Sequence, residues 1–169
     1  MERMITLISK TDWVTPDTLL STRVAEPSDS EALARLLFTA YENNLYPTQS
    51  DAQKALDAVF AGEIGDFFPE ASPVVVDDNG RVVAAVLCLK NRKDGNEPVD
   101  VPTIYELVTA ASRRRQGIAE KLIRQAMSSM KESGFDEVTV RIPETNAPAL
   151  ALYLTLDYRR WQPAAEDLY

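Results

Sequence analysis

The sequence contains no histidine among its 169 residues. That absence excludes Ser-His-Asp and Cys-His nucleophilic catalysis, a histidine general base, and zinc sites that use histidine. Cysteine occurs once, as Cys88. No internal disulfide framework can form, and a reducing, cytoplasmic setting is expected. No apolar run reaches the roughly 20 residues that a membrane span needs, so no membrane partner is expected. The opening MERMITLISKTD has neither an apolar h-region nor a small-residue cleavage site, so export by a signal peptide is not expected. Positive charge is in deficit: 18 Lys and Arg stand against 26 Asp and Glu, a net −8. Binding a phosphate backbone needs a basic face, so nucleic acid is not an expected partner. The acidic balance suits a cationic substrate, or simply solubility.

What is present is ordinary for a globular chain: 45% hydrophobic and 26% charged residues. A chain of this length buries enough apolar surface to fold without staples. Residues 1–18 lack a clear period and are expected to form a loosely held arm, with 19–169 as one domain. Leu19 to Ala25 reads as a strand. Ser28 and Glu31 then have capping-box spacing before a helix carrying Leu33, Leu36, Leu37, Ala40 and Tyr41. Ser50 and Gln53 have the same spacing before Leu56, Val59 and Phe60, and Gly62, Gly65 and Pro69 end that helix. Val74–Val76 and Arg81–Lys90 read as a hairpin about Asp77-Asp78-Asn79-Gly80. Val101–Thr109, Val138–Ile142 and Tyr158–Gln162 read as further strands. Helices are expected over Arg115–Ser133 and Asn146–Leu156. This order predicts an α/β (α+β) fold, a mixed sheet with helices on its faces.

Chemistry concentrates in Glu106 to Lys121, ELVTAASRRRQGIAEK. A strand runs into three arginines, a glycine and an amphipathic helix. Free N–H groups and the dipole at a helix start make an anion site. Gly117 lets an anion approach the backbone closely, and the arginines add attraction and bidentate contacts. No Gly-Lys-Ser/Thr follows, so this is not a P-loop. One glycine is too few for a dinucleotide fingerprint.

The run Arg114-Arg115-Gln116-Gly117-Ile118-Ala119 resembles the pyrophosphate motif Q/R-x-x-G-x-G/A of the GCN5-related N-acetyltransferases, the GNAT superfamily. A second stretch, Asn146 to Tyr158, is similar to that family's N-x-x-A-x-x-L-Y-x-x-L-G-F/Y segment. It follows about thirty residues later with a strand between. Asn146 can cap its helix, and Tyr153 lies two turns on, on the same face. The resemblance covers roughly residues 19–162.

It implies a mostly antiparallel sheet of six to seven strands with helices on both faces. Two strands, beginning at Val101 and Val138, would splay apart. It also implies direct transfer of acetyl from acetyl-coenzyme A (acetyl-CoA) to the primary amine of a small molecule or peptide, without a metal. Leu107, Val108 and Thr109 would pair their backbone with the pantetheine arm. Arg114, Arg115, Gln116, Gly117, Ile118 and Ala119 would hold the pyrophosphate. Asn146 would sit near the pantetheine or the substrate, and Tyr153 would be the acid. A backbone N–H at a strand bulge near Val108 would stabilise the developing oxyanion. Asn146 as a plain N-cap and Tyr153 as a core aromatic are the simpler alternatives.

An alkyl ammonium of pKa ~10.4 must lose a proton before attack, and a carboxylate acting through water could accept it. Glu106 and Glu144 are the candidates, and each can instead be an ordinary surface charge. Tyr41 to Tyr46 and Phe67-Phe68-Pro69 are candidates for the acceptor side, with core packing as the alternative. Cys88, among Val86, Leu87 and Leu89, reads as a buried hydrophobe. Asp157 replaces the motif's usual glycine, so a left-handed residue is expected there. The segment after Tyr158 is short, and a stubby last hairpin is expected. A catalytically silent acyl-CoA sensor is the alternative function, and a homodimer is compatible with either.

Overall fold

The computed structural model describes residues 3–11, 21–40, 46–93, 98 and 100–162. In chain order the elements are β1 (Met4–Lys10), β2 (Thr22–Val24), α1 (Ser30–Ala40), α2 (Gln49–Phe60), β3 (Pro73–Val76), β4 (Val82–Leu89), β5 (Thr103–Thr109), α3 (Ile118–Glu132), β6 (Glu137–Pro143), α4 (Ala147–Thr155) and β7 (Arg159–Arg160). The seven strands form one sheet in the order β2-β3-β4-β5-β6-β1-β7. Every neighbouring pair is antiparallel except β5 and β6, which run parallel.

Both faces of the sheet centre are covered, and β4 shows why its sequence is apolar throughout. Ala84, Val86 and Cys88 point to one core, with Leu122, Ile123, Ala126, Met127 and Met130 of α3, Tyr153 of α4 and Leu156 just after it. Ala85 and Leu87 point to the other, with Leu33, Leu36 and Leu37 of α1 and Leu56 of α2. A strand buried on both faces reads as a continuous hydrophobic run, not an alternating one. Cys88 is fully buried within the first core, and burial pushes its thiol well up. It is therefore a small hydrophobe, not a nucleophile.

Several local expectations shift. Residues 4–10 belong to no arm: β1 lies between β6 and β7, with Ile5, Leu7 and Ile8 buried. Its seven-residue ladder with β6, from Met4↔Pro143 to Lys10↔Glu137, is a non-local pairing, and β1 lacks the clean period-2 alternation that would announce it. The first helix is entered through a 3₁₀ turn at Pro27–Asp29. The capping acceptor there is Asp29, taking the Glu26 N–H at 2.8 Å, so the Ser28–Glu31 box does not form. Proline at 27 favours this earlier start, since its missing N–H costs nothing at the first helical position. Likewise α2 is capped by Thr48, whose Oγ1 accepts from the Asp51 N–H at 3.1 Å, two residues before the expected Ser50. In the hairpin turn Gly80 alone has positive φ, +78°. Asp77 Oδ1 closes the turn by accepting from the Asn79 and Arg81 N–H groups. Asp157 has φ +66°, the left-handed conformation expected of it. The last strand is only two residues, Arg159–Arg160. Among the described residues no helix is long and apolar enough to cross a membrane.

Candidate active site

Parallel pairing of β5 with β6 is confined to Thr103↔Thr139 and Ile104↔Val140. Beyond Ile104 the two strands part, and no strand pairs with Leu107, Val108 or Thr109 on the β6 side among the described residues. The sheet centre therefore opens a slot, one edge of which is the β6 side of β5. Such an edge is a template for an extended chain of amide groups.

A register shift in the β4–β5 ladder sits at the same place. Leu87 pairs with Glu106, whereas Cys88 pairs with Ile104, so Tyr105 is an extra residue. Ile104 and Leu107 both pack towards the α3 core, although they are three apart. A regular strand cannot do this, because its faces alternate with period 2. The bulge absorbs the odd residue and turns Tyr105 and Glu106 together towards the α1–α2 side. Glu106 lies opposite Leu87 of that face and two positions from Val108, also of that face. The expected bulge near Val108 is thus three residues upstream.

Tyr46, just before α2, packs on the same core. Burial, followed by the Glu106 charge and then Tyr105, pushes its phenol well up, so it stays protonated. Glu106 is half-buried. Burial raises its carboxyl from 4.5 to about 7, opposed by a hydrogen bond from the Leu107 N–H. A carboxylate poised near neutrality suits a general base. Glu144 differs: it is exposed, with Arg160 at 3.6 Å and Arg3 at 4.0 Å. Its charge is that of an ordinary surface cluster.

Past the slot the chain turns at Ala111–Arg113 and enters α3. The helix begins at Ile118, not at Arg115, because Arg115 (φ +66°) and Gly117 (φ +74°) are both left-handed. Alternating handedness turns successive N–H groups towards a common concavity. Nothing within 4 Å would meet a Cβ at Gly117, so open space faces this backbone. Glycine is demanded there by φ. Arg114, Arg115, Gln116 and Gly117 are all exposed, Ala119 is half-buried and Ile118 anchors the helix in the core. The first N–H groups of a helix have no intrahelical acceptor. An accessible cluster of such groups beside arginines fits a diphosphate.

Asn146 is the N-cap of α4, its Oδ1 accepting from the Ala149 N–H at 3.2 Å. Losing that bond in Asn146→Ala is expected to cost about 1 kcal/mol, read as a lowered urea midpoint, and Asn146→Ser to recover most of it. Tyr153 is buried, edge-to-face with Tyr158 at 5.0 Å between centroids. Tyr158 donates to Met127 Sδ at 3.2 Å, and burial, with Tyr153 and Cys88 nearby, holds its phenol far above normal.

Tyr153 and Glu106 therefore lie on opposite faces of the sheet, Tyr153 with α3 and Glu106 towards α1 and α2. Of the acceptor-side candidates, Phe68 is fully buried, stacked edge-to-face on Phe135 at 5.6 Å. Phe67 is half-buried against Phe60 at 4.9 Å. Residues 41–45 lie outside the described residues. Tyr105 is a functional candidate that sequence reasoning missed. Its signal was the i, i+3 spacing of Ile104 and Leu107 in a strand-like run.

The Acetyltransferase (GNAT) family profile matches residues 31–158. The N-terminal acetyltransferase complex ARD1 subunit homolog of Dictyostelium discoideum is 37% identical over 87 residues, which is 51% of this chain and 41% of that protein. The chain spans 30–41% of the length of the curated relatives it matches. Among solved structures, a GCN5-related N-acetyltransferase from Sphaerobacter thermophilus superimposes with TM-score 0.68 at 17% identity, over 94% of this chain and 48% of that one. AAC(6')-Iy in complex with the bisubstrate analogue CoA-S-monomethyl-acetylneamine superimposes with TM-score 0.62 at 12% identity, over 87% and 95%. The profile match, spanning the parted strands, the arginine-glycine turn and the capped last helix, shows that the chain belongs to the Acetyltransferase (GNAT) family.

Proposed function

We propose that this protein is an N-acetyltransferase that moves an acetyl group from acetyl-CoA directly to a primary amine of a small molecule or peptide. The observation that carries this reading is the parting of β5 and β6 after Ile104, with the exposed start of α3 at its mouth. Acetyl-CoA supplies an acetyl group activated as a thioester. Arg114, Arg115 and the N–H groups from Gln116 to Ala119 hold its diphosphate. The backbone of Leu107, Val108 and Thr109 pairs with its pantetheine amides, and Asn146 lies beside them. Glu106, ionised above about pH 7, takes the proton of the acceptor ammonium directly or through one water. A backbone N–H of β5 near Val108 stabilises the developing oxyanion. Tyr153 gives its phenolic proton to the departing thiolate.

Calorimetric titration with acetyl-CoA, followed by thiol release in the presence of amines, tests the reading. Micromolar binding is expected, and its loss in Arg115→Glu/Gly117→Glu, which puts two carboxylates against the diphosphate. No binding at millimolar acetyl-CoA would overturn both catalysis and acyl-CoA sensing. Binding without thiol release from any amine would leave a sensor.

A further inference from the structure

Resting on that reading, we infer that Tyr158 is a positioning residue for the proposed acid: with the left-handed Asp157 it folds back on the end of α4 and holds the Tyr153 ring in place for the departing thiolate.

Tyr153 lies in the last turn of α4, a helix of nine residues. Helix ends fray, and a helix this short owes its order to packing and caps. A phenol there keeps a fixed place only if the helix end is closed. The chain closes it on Tyr153 itself. The Tyr158 N–H donates to the Tyr153 C=O at 3.0 Å, and the Asp157 N–H donates to the Leu154 C=O at 3.1 Å. These crossed bonds make a Schellman turn, which needs a left-handed residue at its corner. Asp157 is that residue, with φ +66°. Such a turn sets the side chain that follows the corner against the helical residue to which it bonds. Here the two are Tyr158 and Tyr153, both buried and edge-to-face with ring centroids 5.0 Å apart.

The support is anchored in turn. The Tyr158 hydroxyl donates to Met127 Sδ at 3.2 Å, and Met127 is fully buried midway along α3. One ring thus joins the helix whose start faces the diphosphate to the helix that carries the acid. Tyr158 is not a second acid, because it is buried with its proton directed at Met127. A thioether is a weak acceptor but packs well on an aromatic ring, so phenylalanine at 158 keeps most of the support. Ordinary core packing would act on every step alike, with or without the Tyr153 phenol. A support for the acid acts only through Tyr153.

The test sets Tyr158→Leu and Asp157→Val, which remove the ring or oppose the left-handed corner, against Tyr158→Phe and Asp157→Gly, which keep them. Asp157 is exposed, so its variants leave the core residues in place even if Tyr158→Leu folds poorly. Ring position is read without turnover, by NMR of protein labelled with carbon-13 at the tyrosine ε carbons. The Tyr153 signal is the one missing from Tyr153→Phe. It is expected to move or broaden in Tyr158→Leu and Asp157→Val and to stay sharp in Tyr158→Phe and Asp157→Gly. Turnover is expected to fall roughly 10- to 100-fold in the first pair, the scale of a misplaced group, with acetyl-CoA affinity unchanged. The second pair should keep most of it. Thioesters with better leaving groups should recover part of the loss. Added to Tyr153→Phe, Tyr158→Leu should cost no further turnover, because the group it positions is already gone. An unmoved Tyr153 signal in both disturbing variants, or a further loss in the double variant, would overturn the inference while the acetyltransferase reading stands. A moved signal with unchanged turnover would overturn it together with the role of Tyr153 as acid. Absence of thiol release from the wild type with every amine would overturn the catalytic reading, and the inference with it.

Discussion

Glu106→Gln is expected to yield a protein that is more stable at neutral pH and nearly inactive. The stability sign follows from burial. The folded-state carboxyl titrates at about 7, against an ordinary 4.5. Between these values the native state binds more protons than the unfolded state, so stability falls as pH rises through that window. Above pH 7 the ionised group costs the fold up to about 3 kcal/mol. Glutamine removes that cost and still accepts the Leu107 N–H. For a domain of this size the gain corresponds to a rise in Tm of about 6–12 °C at pH 8. At pH 4, where Glu106 is protonated in both states, the two proteins should melt together. Equal Tm values at pH 8 would show that Glu106 is solvated.

Activity should move the other way. The wild-type kcat/KM is expected to rise with pH towards about 7 as Glu106 ionises. The variant should lose that limb and fall by ~10²–10⁴, the range for a missing general base. A residue that costs stability and supplies rate is the trade expected of a functional site. A Glu106→Gln protein that kept its turnover and its pH limb would move the base elsewhere.

Tyr153→Phe is the second large effect, and it should touch rate without touching acetyl-CoA affinity. The ring stays, so the edge-to-face contact with Tyr158 at 5.0 Å survives. What goes is one phenolic proton donor, the group proposed to protonate the departing thiolate. Turnover should drop by ~10²–10⁴. Thioesters with better leaving groups should recover part of it, because their thiolates need no proton. A core aromatic without a chemical role would show unchanged turnover at any leaving-group pKa, and that outcome would remove Tyr153 from the reaction.

The helices were legible because their signals are local. The spacing of Leu33, Leu36 and Leu37, or of Ile118, Leu122, Ile123, Ala126 and Met130, marks a face whatever it packs against. Their starts were less legible. Ser28 and Ser50 have the right chemistry at the right spacing, but Asp29 and Thr48 compete with the same chemistry a residue or two away. Only the path of the incoming chain selects between them. β1 was illegible for a different reason. Met4–Lys10 has no partner nearby in sequence, and its place beside β6 rests on residues more than a hundred positions on. Tyr46 and Tyr105 illustrate the same limit at the site. Each is an unremarkable tyrosine until the chain brings them to one side of Glu106.

Two motifs, Arg114–Ala119 and Asn146–Tyr158, were enough to identify the family, because binding an anion at a helix start and capping a helix are short-range tasks written in adjacent residues. The lack of histidine and the single cysteine bounded the chemistry in the same direct way. Where β5 leaves β6, where the bulge falls, and that Glu106 and Tyr153 occupy opposite faces were decided by pairing between distant strands. Register depends on which apolar surfaces the two cores can bury together, a sum over the whole sheet that no local pattern contains. The raised carboxyl at Glu106 belongs with these: its cause is burial, and burial exists only once the chain has folded.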